Sequence, residues 1–278
     1  MTRASQTVTG LPHNEIDFKS EVSQSLPALL EQLEKLVKNA EDIRSEPFQV
    51  FKDRLSSKLL WLRPSVNRIS AISCCGKTPQ LGFSGIKLGK LQEILETQLS
   101  PPRRKTPEKQ LQSWLIRQAL ASGGRLKALD DVLGGEWWFV SDEIALTTAS
   151  KIKLVADLLL VRVDAGELAS LVNFELKSKR AMETFEQVIS FRAALEHPRL
   201  QEGWKRFAEI MTRKSFQWHP SRETHGVVIW PAVGKGKNPS KSLAHAKRTK
   251  YERVDVIGYL DPEISEYTLE IERLPVPA

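Results

Sequence analysis

The chain has 278 residues, 41% of them apolar and 27% charged, a normal globular composition that is long enough for one large or two ordinary domains. Its formal net charge of +7 favours polyanionic partners, although a modest positive balance also occurs in proteins that bind no nucleic acid. No apolar run approaches a membrane span and the first residues lack a signal-peptide core, so we expect a cytoplasmic protein without membrane contact.

Residues 1–100 are predicted to form a mostly helical accessory region. Apolar residues recur at helical spacing from Leu26 to Ile43, and a second helix is predicted from Ile86 to Leu99. Gly76-Lys77-Thr78 resembles the end of a phosphate-binding loop, but the glycine required upstream is missing and the motif fails. The adjacent Cys74-Cys75 pair matches no zinc spacing and cannot make an ordinary structural disulfide, which favours a reducing compartment.

A basic, proline-containing linker begins at Ser100 and marks the start of the second region, residues 101–278. Thr106 and Pro107 are the residue types expected at the N-cap and first position of a helix, which we expect to end near Ala121. Glu108 lies in its first turn. There an acid favours the helix dipole, and a role for Glu108 in binding remains the alternative.

The first strand of a sheet is predicted from Glu136 to Val140, which is aromatic and β-prone, with Ile144–Thr148 continuing it after a bulge. Trp137 and Trp138 are typical of a core strand, and stacking on nucleic-acid bases is the alternative. Asp142 and Glu143 are predicted to be solvated acids in a turn.

A β-hairpin is the strongest local prediction of the second region. Ile152–Val163 and Leu168–Leu176 are rich in Val and Leu, and they flank the turn-forming Asp164-Ala165-Gly166-Glu167. If this turn closes the hairpin, Val163 pairs with Ala169. Continuing that register places Asp157 opposite Glu175, with Cβ atoms about 5 Å apart.

Asp157, Glu175 and Lys177 are charged residues inside otherwise apolar strands. Burying an unpaired charge costs several kcal/mol, on the order of its desolvation energy, so these side chains need partners or a metal ion. Side chains alternate along a strand, so Glu175 and Lys177 share a face while Leu176 points to the core. Two close carboxylates repel unless a cation lies between them, and oxygen ligands suit Mg²⁺ or Mn²⁺. The pattern therefore predicts a divalent-metal site.

The elements after the hairpin are predicted to alternate between helix and strand. They are helices from Met182 to Leu195 and from Trp204 to Met211, and strands at Thr224–Trp230, Arg253–Leu260 and Tyr267–Leu274. The fold class that we expect is α/β, with a mixed central sheet flanked by helices.

Asp157 followed by Glu175-Leu176-Lys177 resembles the D…(D/E)xK signature of the PD-(D/E)xK nuclease superfamily, which has the restriction-endonuclease-like fold. The next helix carries Gln187 and Phe191, similar to the Q-x3-Y element of the RecB-like branch. Phe stands where Tyr is usual, and Ala156 stands where Pro often precedes the aspartate. The resemblance spans roughly residues 106–230.

This resemblance implies a nuclease that hydrolyses phosphodiester bonds with Mg²⁺ or Mn²⁺, with DNA as the expected substrate. It implies in-line attack by water that leaves a 5′-phosphate, and a homodimer or partner subunit is a possibility that it leaves open. Asp157 and Glu175 would hold the metal with the Leu176 carbonyl and Glu108. Lys177 would orient the water or neutralise developing charge, and Gln187 would reach the metal site or the substrate unless it faces solvent.

Basic residues outside the strands are candidates for contacts with phosphate groups, whose affinity would depend on salt. The candidates are Lys179 and Arg180 after the second hairpin strand, and Lys235, Lys237, Lys247, Arg248 and Lys250 in the basic stretch 234–250. Solvated loop cations are the alternative.

Two other hypotheses compete with a nuclease. The first is a catalytically inactive module of the same fold that binds nucleic acid or a protein, and it would be indifferent to Mg²⁺. The second is coincidence, in which Lys177 forms a surface salt bridge with Glu175 or Asp157 worth under about 1 kcal/mol.

Overall fold

The fold is α/β, with a mixed β-sheet flanked by helices, in the computed structural model of the chain. The residues described are 16–49, 54–55, 59–74, 79–96, 106–164, 167–180, 183–221, 224–232, 253–260 and 267–271. Among these residues, the helices are too short or too polar to cross a membrane.

The large sheet contains the strands that carry the predicted charged residues. Its order is β10-β9-β8-β6-β5-β4, and the short β7 pairs with one end of β6. Strands β6, β8 and β9 run parallel, whereas β4, β5 and β10 are antiparallel to their neighbours. The strands are β4 (Glu136–Thr147), β5 (Lys153–Val163), β6 (Leu168–Leu176), β7 (Gln217–Trp218), β8 (His225–Pro231), β9 (Val254–Leu260) and β10 (Thr268–Ile271).

The hairpin of β5 and β6 forms in the predicted register. Val163 pairs with Ala169, and Leu158 pairs with Phe174. Asp157 precedes Leu158 and Glu175 follows Phe174, so the same register puts the two acids opposite each other. Leu158, Phe174 and their apolar neighbours are completely buried, which is why a one-residue slip would be costly and the register is well determined.

Helices cover the large sheet, and β6 is connected to its parallel neighbour β8 through two of them, α7 and α8. The described helices are α1 (Phe18–Gln24), α2 (Leu26–Arg44), α3 (Glu46–Gln49), α4 (Leu91–Glu96), α5 (Pro107–Ala121), α6 (Lys127–Leu133), α7 (Glu183–Glu196) and α8 (Pro198–Thr212). The α5 helix begins as predicted, because the Thr106 hydroxyl accepts a hydrogen bond from the Lys109 N–H and Pro107 occupies the first turn.

The first hundred residues contain a small antiparallel sheet that the sequence pattern did not predict. Its strands are β1 (Leu60–Pro64), β2 (Ile69–Ser73) and β3 (Gln80–Ser84). These strands are only five residues long and Gly and Pro interrupt the sequence around them, so no periodic pattern develops. The helix predicted from Ile86 begins later, with a 3₁₀ turn at Leu88–Lys90 before α4, and the end predicted at Leu99 lies outside the described residues.

The helix α2 belongs to the main hydrophobic core. Leu29, Leu33 and Leu36 are buried in the same cluster as Leu158 and Val172 of the large sheet. A second buried cluster joins the small sheet to the segments on either side of it: Ile43, Phe48, Leu55, Leu60, Leu62, Ile69, Ala71, Ile86, Leu91 and Ile94. The accessory region is thus packed onto the sheet that carries the predicted site.

Candidate active site

Asp157 and Glu175 lie side by side on the hairpin, at the centre of the large sheet. Asp157 is half-buried, and one of its carboxylate oxygens, Oδ2, accepts a 2.8 Å hydrogen bond from the backbone N–H of Leu176. This bond holds the aspartate against the strand that carries Glu175. The structure therefore brings together the two acids that the sequence predicts to share a site.

Glu175 is almost fully buried, with 3% of its surface exposed. Its Oε1 atom accepts a 2.5 Å hydrogen bond from Lys177 Nζ, whereas Oε2 is buried and has no hydrogen-bond partner among the described residues. Leaving a carboxylate oxygen buried and unsatisfied costs free energy. A residue that persists in this state marks a position where a ligand would be stabilised.

Asp142 and Glu143 correct the prediction of solvated acids in a turn, because they lie inside the continuous strand β4. Asp142 is completely buried and accepts hydrogen bonds from the Trp61 indole N–H and the Arg63 guanidinium of the small sheet. Glu143 has a positive φ of 51°, which is rare within a strand and is found more often at functional sites than elsewhere. The strand also shifts register near Phe139, so it contains a bulge as predicted, but Asp142 and Glu143 belong to the strand and not to a turn.

Helix α5 supplies polar contacts to these acids that sequence reasoning missed. Lys109 Nζ forms an ion pair with Glu143 and donates to Gln112 Oε1 at 2.9 Å. The Gln112 amide donates to Glu143 Oε1 at 3.0 Å and to the Asp157 carbonyl at 3.4 Å. A polar residue at position 112 within an apolar helical stripe was the available signal, since Gln112 is 1% exposed.

Burial and crowding perturb the acid–base properties of the pair. Burial raises the pKa of Asp157, the Glu143 carboxylate raises it further, and Lys109 and the Leu176 N–H oppose the change. Burial and the Asp157 carboxylate likewise raise the pKa of Glu175, against the opposing effect of Lys177. Both changes mean that the ionised pair lacks sufficient positive charge nearby, which a cation would supply.

The pKa of Glu143 is shifted in the opposite direction. Burial acts to raise its pKa, but Lys109 and Arg63 outweigh burial and lower it below the ordinary value. This carboxylate is therefore already neutralised by protein cations. Of the acids Glu143, Asp157 and Glu175, only Asp157 and Glu175 remain short of positive charge.

The donors fit Mg²⁺ or Mn²⁺ as a cation held by two carboxylates. Within the described residues, no group of three or more His, Cys, Asp or Glu side chains is arranged to hold a metal. Mg²⁺ commonly uses one or two carboxylates and completes its shell with water and substrate phosphate oxygens. The unpartnered Oε2 of Glu175, next to Asp157, is the feature of this structure that meets that requirement.

Comparisons with known proteins leave the geometry as the basis for assigning a function. No protein-family model, no curated protein and no solved structure matches this chain.

Two further predicted site residues are described, and neither forms a hydrogen bond with the acid pair. Glu108 is half-buried on the first turn of α5, and the hydrogen bonds from this helix to the acids come from Lys109 and Gln112. Gln187 is exposed on α7, while Phe191, one turn later, is completely buried against Trp204. Their contribution to catalysis remains a prediction.

The predicted phosphate contacts divide into three groups. Lys179 is exposed after β6. Arg180 packs its guanidinium 5.3 Å from the centre of the Trp230 ring and donates to the Pro231 carbonyl, so part of its role is to join β6 to β8. The remaining candidates, Lys235, Lys237, Lys247, Arg248 and Lys250, lie outside the described residues.

The tryptophans of β4 lie against the protein interior. Trp137 is 1% exposed and its ring meets the Phe174 ring edge-on, as the core alternative predicts. Trp138 is half-buried, and Lys214 Nζ lies 3.8 Å from the centre of its ring. Base stacking by Trp137 is excluded by its burial.

Proposed function

We propose that the chain is a Mg²⁺-dependent nuclease that hydrolyses phosphodiester bonds in DNA. The observation that carries the proposal is the buried, unpartnered Oε2 of Glu175 beside Asp157, close to Lys177 at the end of the same strand. The two carboxylates have too little positive charge around them, and a lysine lies nearby. These are the groups needed to hold a metal and a scissile phosphate.

The order of elements around the site supports a restriction-endonuclease-like assignment. Helix α5 is followed by the short helix α6 and the antiparallel strands β4, β5 and β6, then by helix α7 and, after α8, the parallel strand β8. The acids lie in the second and third of these strands, where the PD-(D/E)xK resemblance expects them. DNA as the substrate rests on that resemblance.

In the proposed mechanism, the protein positions the metal and the attacking water. Asp157 and Glu175 would hold Mg²⁺, which would supply positive charge at the phosphoryl oxygen and lower the pKa of the attacking water. The Leu176 N–H would fix Asp157, and Lys177, which bonds Glu175 Oε1 at the end of the same strand, would orient the attacking water or contact the phosphate. The water oxygen would bond to phosphorus as the bond to the 3′ oxygen breaks. The water gives up a proton and the 3′ oxygen takes one up, which leaves a 5′-phosphate and a 3′-hydroxyl.

Lys109 and Gln112 act as positioning residues in this proposal. They hold Glu143 close to Asp157 while neutralising it, so the Glu143 charge does not compete for the metal. They also connect the site to Asp142, since Gln112 lies 3.5 Å from Asp142 Oδ2.

Cleavage assays test the proposal directly. Labelled linear, supercoiled and single-stranded DNA is incubated with the full chain and Mg²⁺, Mn²⁺ or EDTA. We expect metal-dependent cuts that disappear in Asp157→Asn and Lys177→Met and persist in Glu202→Gln, which changes an exposed acid on α8 paired with Lys205. Cuts that survive EDTA, or that survive Asp157→Asn, would refute the assignment of the site.

A second candidate is a catalytically inactive module of this fold that binds nucleic acid. One observation favours it: Lys177 and Lys109 already provide counter-ions to Glu175 and Glu143 without a metal. This candidate predicts DNA binding that EDTA does not change, and no heat of Mg²⁺ binding by calorimetry. Saturable Mg²⁺ binding that Glu175→Gln abolishes would reject it.

A further inference from the structure

A cleft between the small sheet and the main core is separate from the acidic residues. Its walls come from the ends of α2, α5 and α8, from β1 and from β4, and it encloses about 200 Å³. We call it the Arg44 cleft, after the arginine at the end of α2. Asp142, Glu143, Asp157 and Glu175 are not among the described residues that line it.

Most of the Arg44 cleft is apolar. Trp61 and Phe139 pack with ring centres 4.9 Å apart, and both face the cleft together with Leu62, Leu120 and Trp138. An engineered apolar cavity of roughly 150 Å³ holds a benzene ring, so this volume accepts a ring-sized apolar body. Aromatic walls with a few polar groups are typical of small-molecule sites.

The polar part of the cleft is cationic. The Arg44 side chain donates from Nη2 to the Met211 carbonyl, whereas its Nε is buried and without a hydrogen-bond partner among the described residues. Arg213 at the end of α8 also lines the cleft, and the described lining includes no acid. Burial and the neighbouring Arg213 charge lower the pKa of Arg44 to about 10.

One carbonyl contact leaves the half-buried Arg44 guanidinium poorly compensated, because a charge removed from water needs a charged partner or full hydrogen bonding. Arg binds carboxylates and other oxyanions through paired N–H groups, and charge-assisted bonds of this kind are the strong ones. The described lining offers a free donor and aromatic walls, and it contains no acid. These features fit a molecule that carries an oxyanion and an apolar body.

We propose that the Arg44 cleft binds a small organic anion, with an aromatic or short aliphatic body against Trp61 and Phe139 and its oxyanion on Arg44. This site is independent of the nuclease proposal, because it shares none of the acidic residues and requires no metal. Its test therefore succeeds or fails separately from the cleavage assays.

The test uses 2-naphthoate as the anionic probe and 2-naphthamide as its neutral counterpart, titrated into the full chain by calorimetry. We expect saturable binding of naphthoate at a single site, with a Kd below about 1 mM, and affinity at least about tenfold weaker for naphthamide. Arg44→Gln should weaken naphthoate at least about tenfold and leave the affinity for naphthamide unchanged.

Two more variants keep the test decisive if Arg44→Gln folds poorly. Leu120→Trp fills the cleft and should abolish binding of both probes while leaving Arg44 in place. Arg206→Gln is the matched control, because Arg206 joins α8 to Glu41 of α2 outside the cleft, and it should bind like the wild type. Absence of saturable naphthoate binding, equal affinity for the two probes, or unchanged binding in Leu120→Trp would overturn the proposal.

Discussion

Replacing Glu175 by Gln should stabilise the metal-free protein at neutral and alkaline pH. The side chain keeps its shape but loses the charge that burial and Asp157 disfavour. A pKa raised from 4.5 to about 7 corresponds to a penalty of about 3 kcal/mol when the group is fully ionised. This raised pKa already includes the opposing attraction of Lys177, so we expect a net gain of up to about 3 kcal/mol at about pH 8.

The pH dependence follows from the direction of the shift. Between about pH 4.5 and about pH 7, folded Glu175 keeps a proton that the unfolded chain has already released, so unfolding releases a proton. Raising the pH through this window therefore destabilises the wild type. Below about pH 4.5 both states are protonated and the penalty is absent. The advantage of Glu175→Gln should grow across this window and become constant above it.

The measurement is chemical unfolding of wild type and Glu175→Gln at about pH 5 and about pH 8, with and without Mg²⁺. The difference should be under about 1 kcal/mol at the lower pH. Mg²⁺ should stabilise the wild type at the higher pH and leave the variant unchanged, since the variant lacks a proposed metal ligand. Glu202→Gln, which removes an exposed ion pair with Lys205, should change stability by under about 0.5 kcal/mol.

Two results would refute this reasoning. If Glu175→Gln were less stable than the wild type at the higher pH, Glu175 would be stabilised by Lys177 alone and no cation would be needed. If the difference in free energy of unfolding between the two proteins were equal at both pH values, the Glu175 carboxylate would not titrate in this range. Burial would then not raise its pKa.

Three further predictions test other parts of the structure. Lys177→Met should lower DNA cleavage at least about a hundredfold in single-turnover assays while Mg²⁺ binding persists, whereas loss of both together would contradict a role in transition-state stabilisation. Arg63→Met should destabilise the protein by about 3 to 5 kcal/mol in urea unfolding, because it leaves the buried Asp142 charge unpaired. Adding Asp142→Asn to this variant should restore the stability if the unpaired charge is the cause. Gly203→Ala should lower the free energy of unfolding by about 1 to 3 kcal/mol in thermal unfolding, because the added Cβ would lie 2.6 Å from Leu33 Cδ2. An unchanged melting temperature would contradict tight packing of α2 on α8.

Local pattern was sufficient to predict the hairpin and its register. A turn sequence between two apolar runs leaves one pairing that buries both core faces, so Asp157 and Glu175 could be placed opposite each other from the sequence alone. The helices α2, α5, α7 and α8 likewise follow from apolar spacing and from Thr106 and Pro107 at one helix start.

Acids without an obvious sequence partner could not be placed in this way. Asp142 was predicted to be solvated because its surroundings looked like a turn, whereas its partners Trp61 and Arg63 lie about eighty residues earlier on a sheet of short strands. Gln112 and Lys109 gave only a weak signal, because their role depends on how α5 crosses the large sheet.

The sequence by itself determined the α/β class and the face of the hairpin on which the two acids lie, since alternation and turn chemistry act over a few residues. Only the tertiary structure decided which cations neutralise which acids, because charge compensation depends on elements far apart in the chain. It assigned Arg63 to Asp142 and Lys109 to Glu143, and it left Glu175 Oε2 without a partner among the described residues. That remaining oxygen is the physical basis for the proposed metal site.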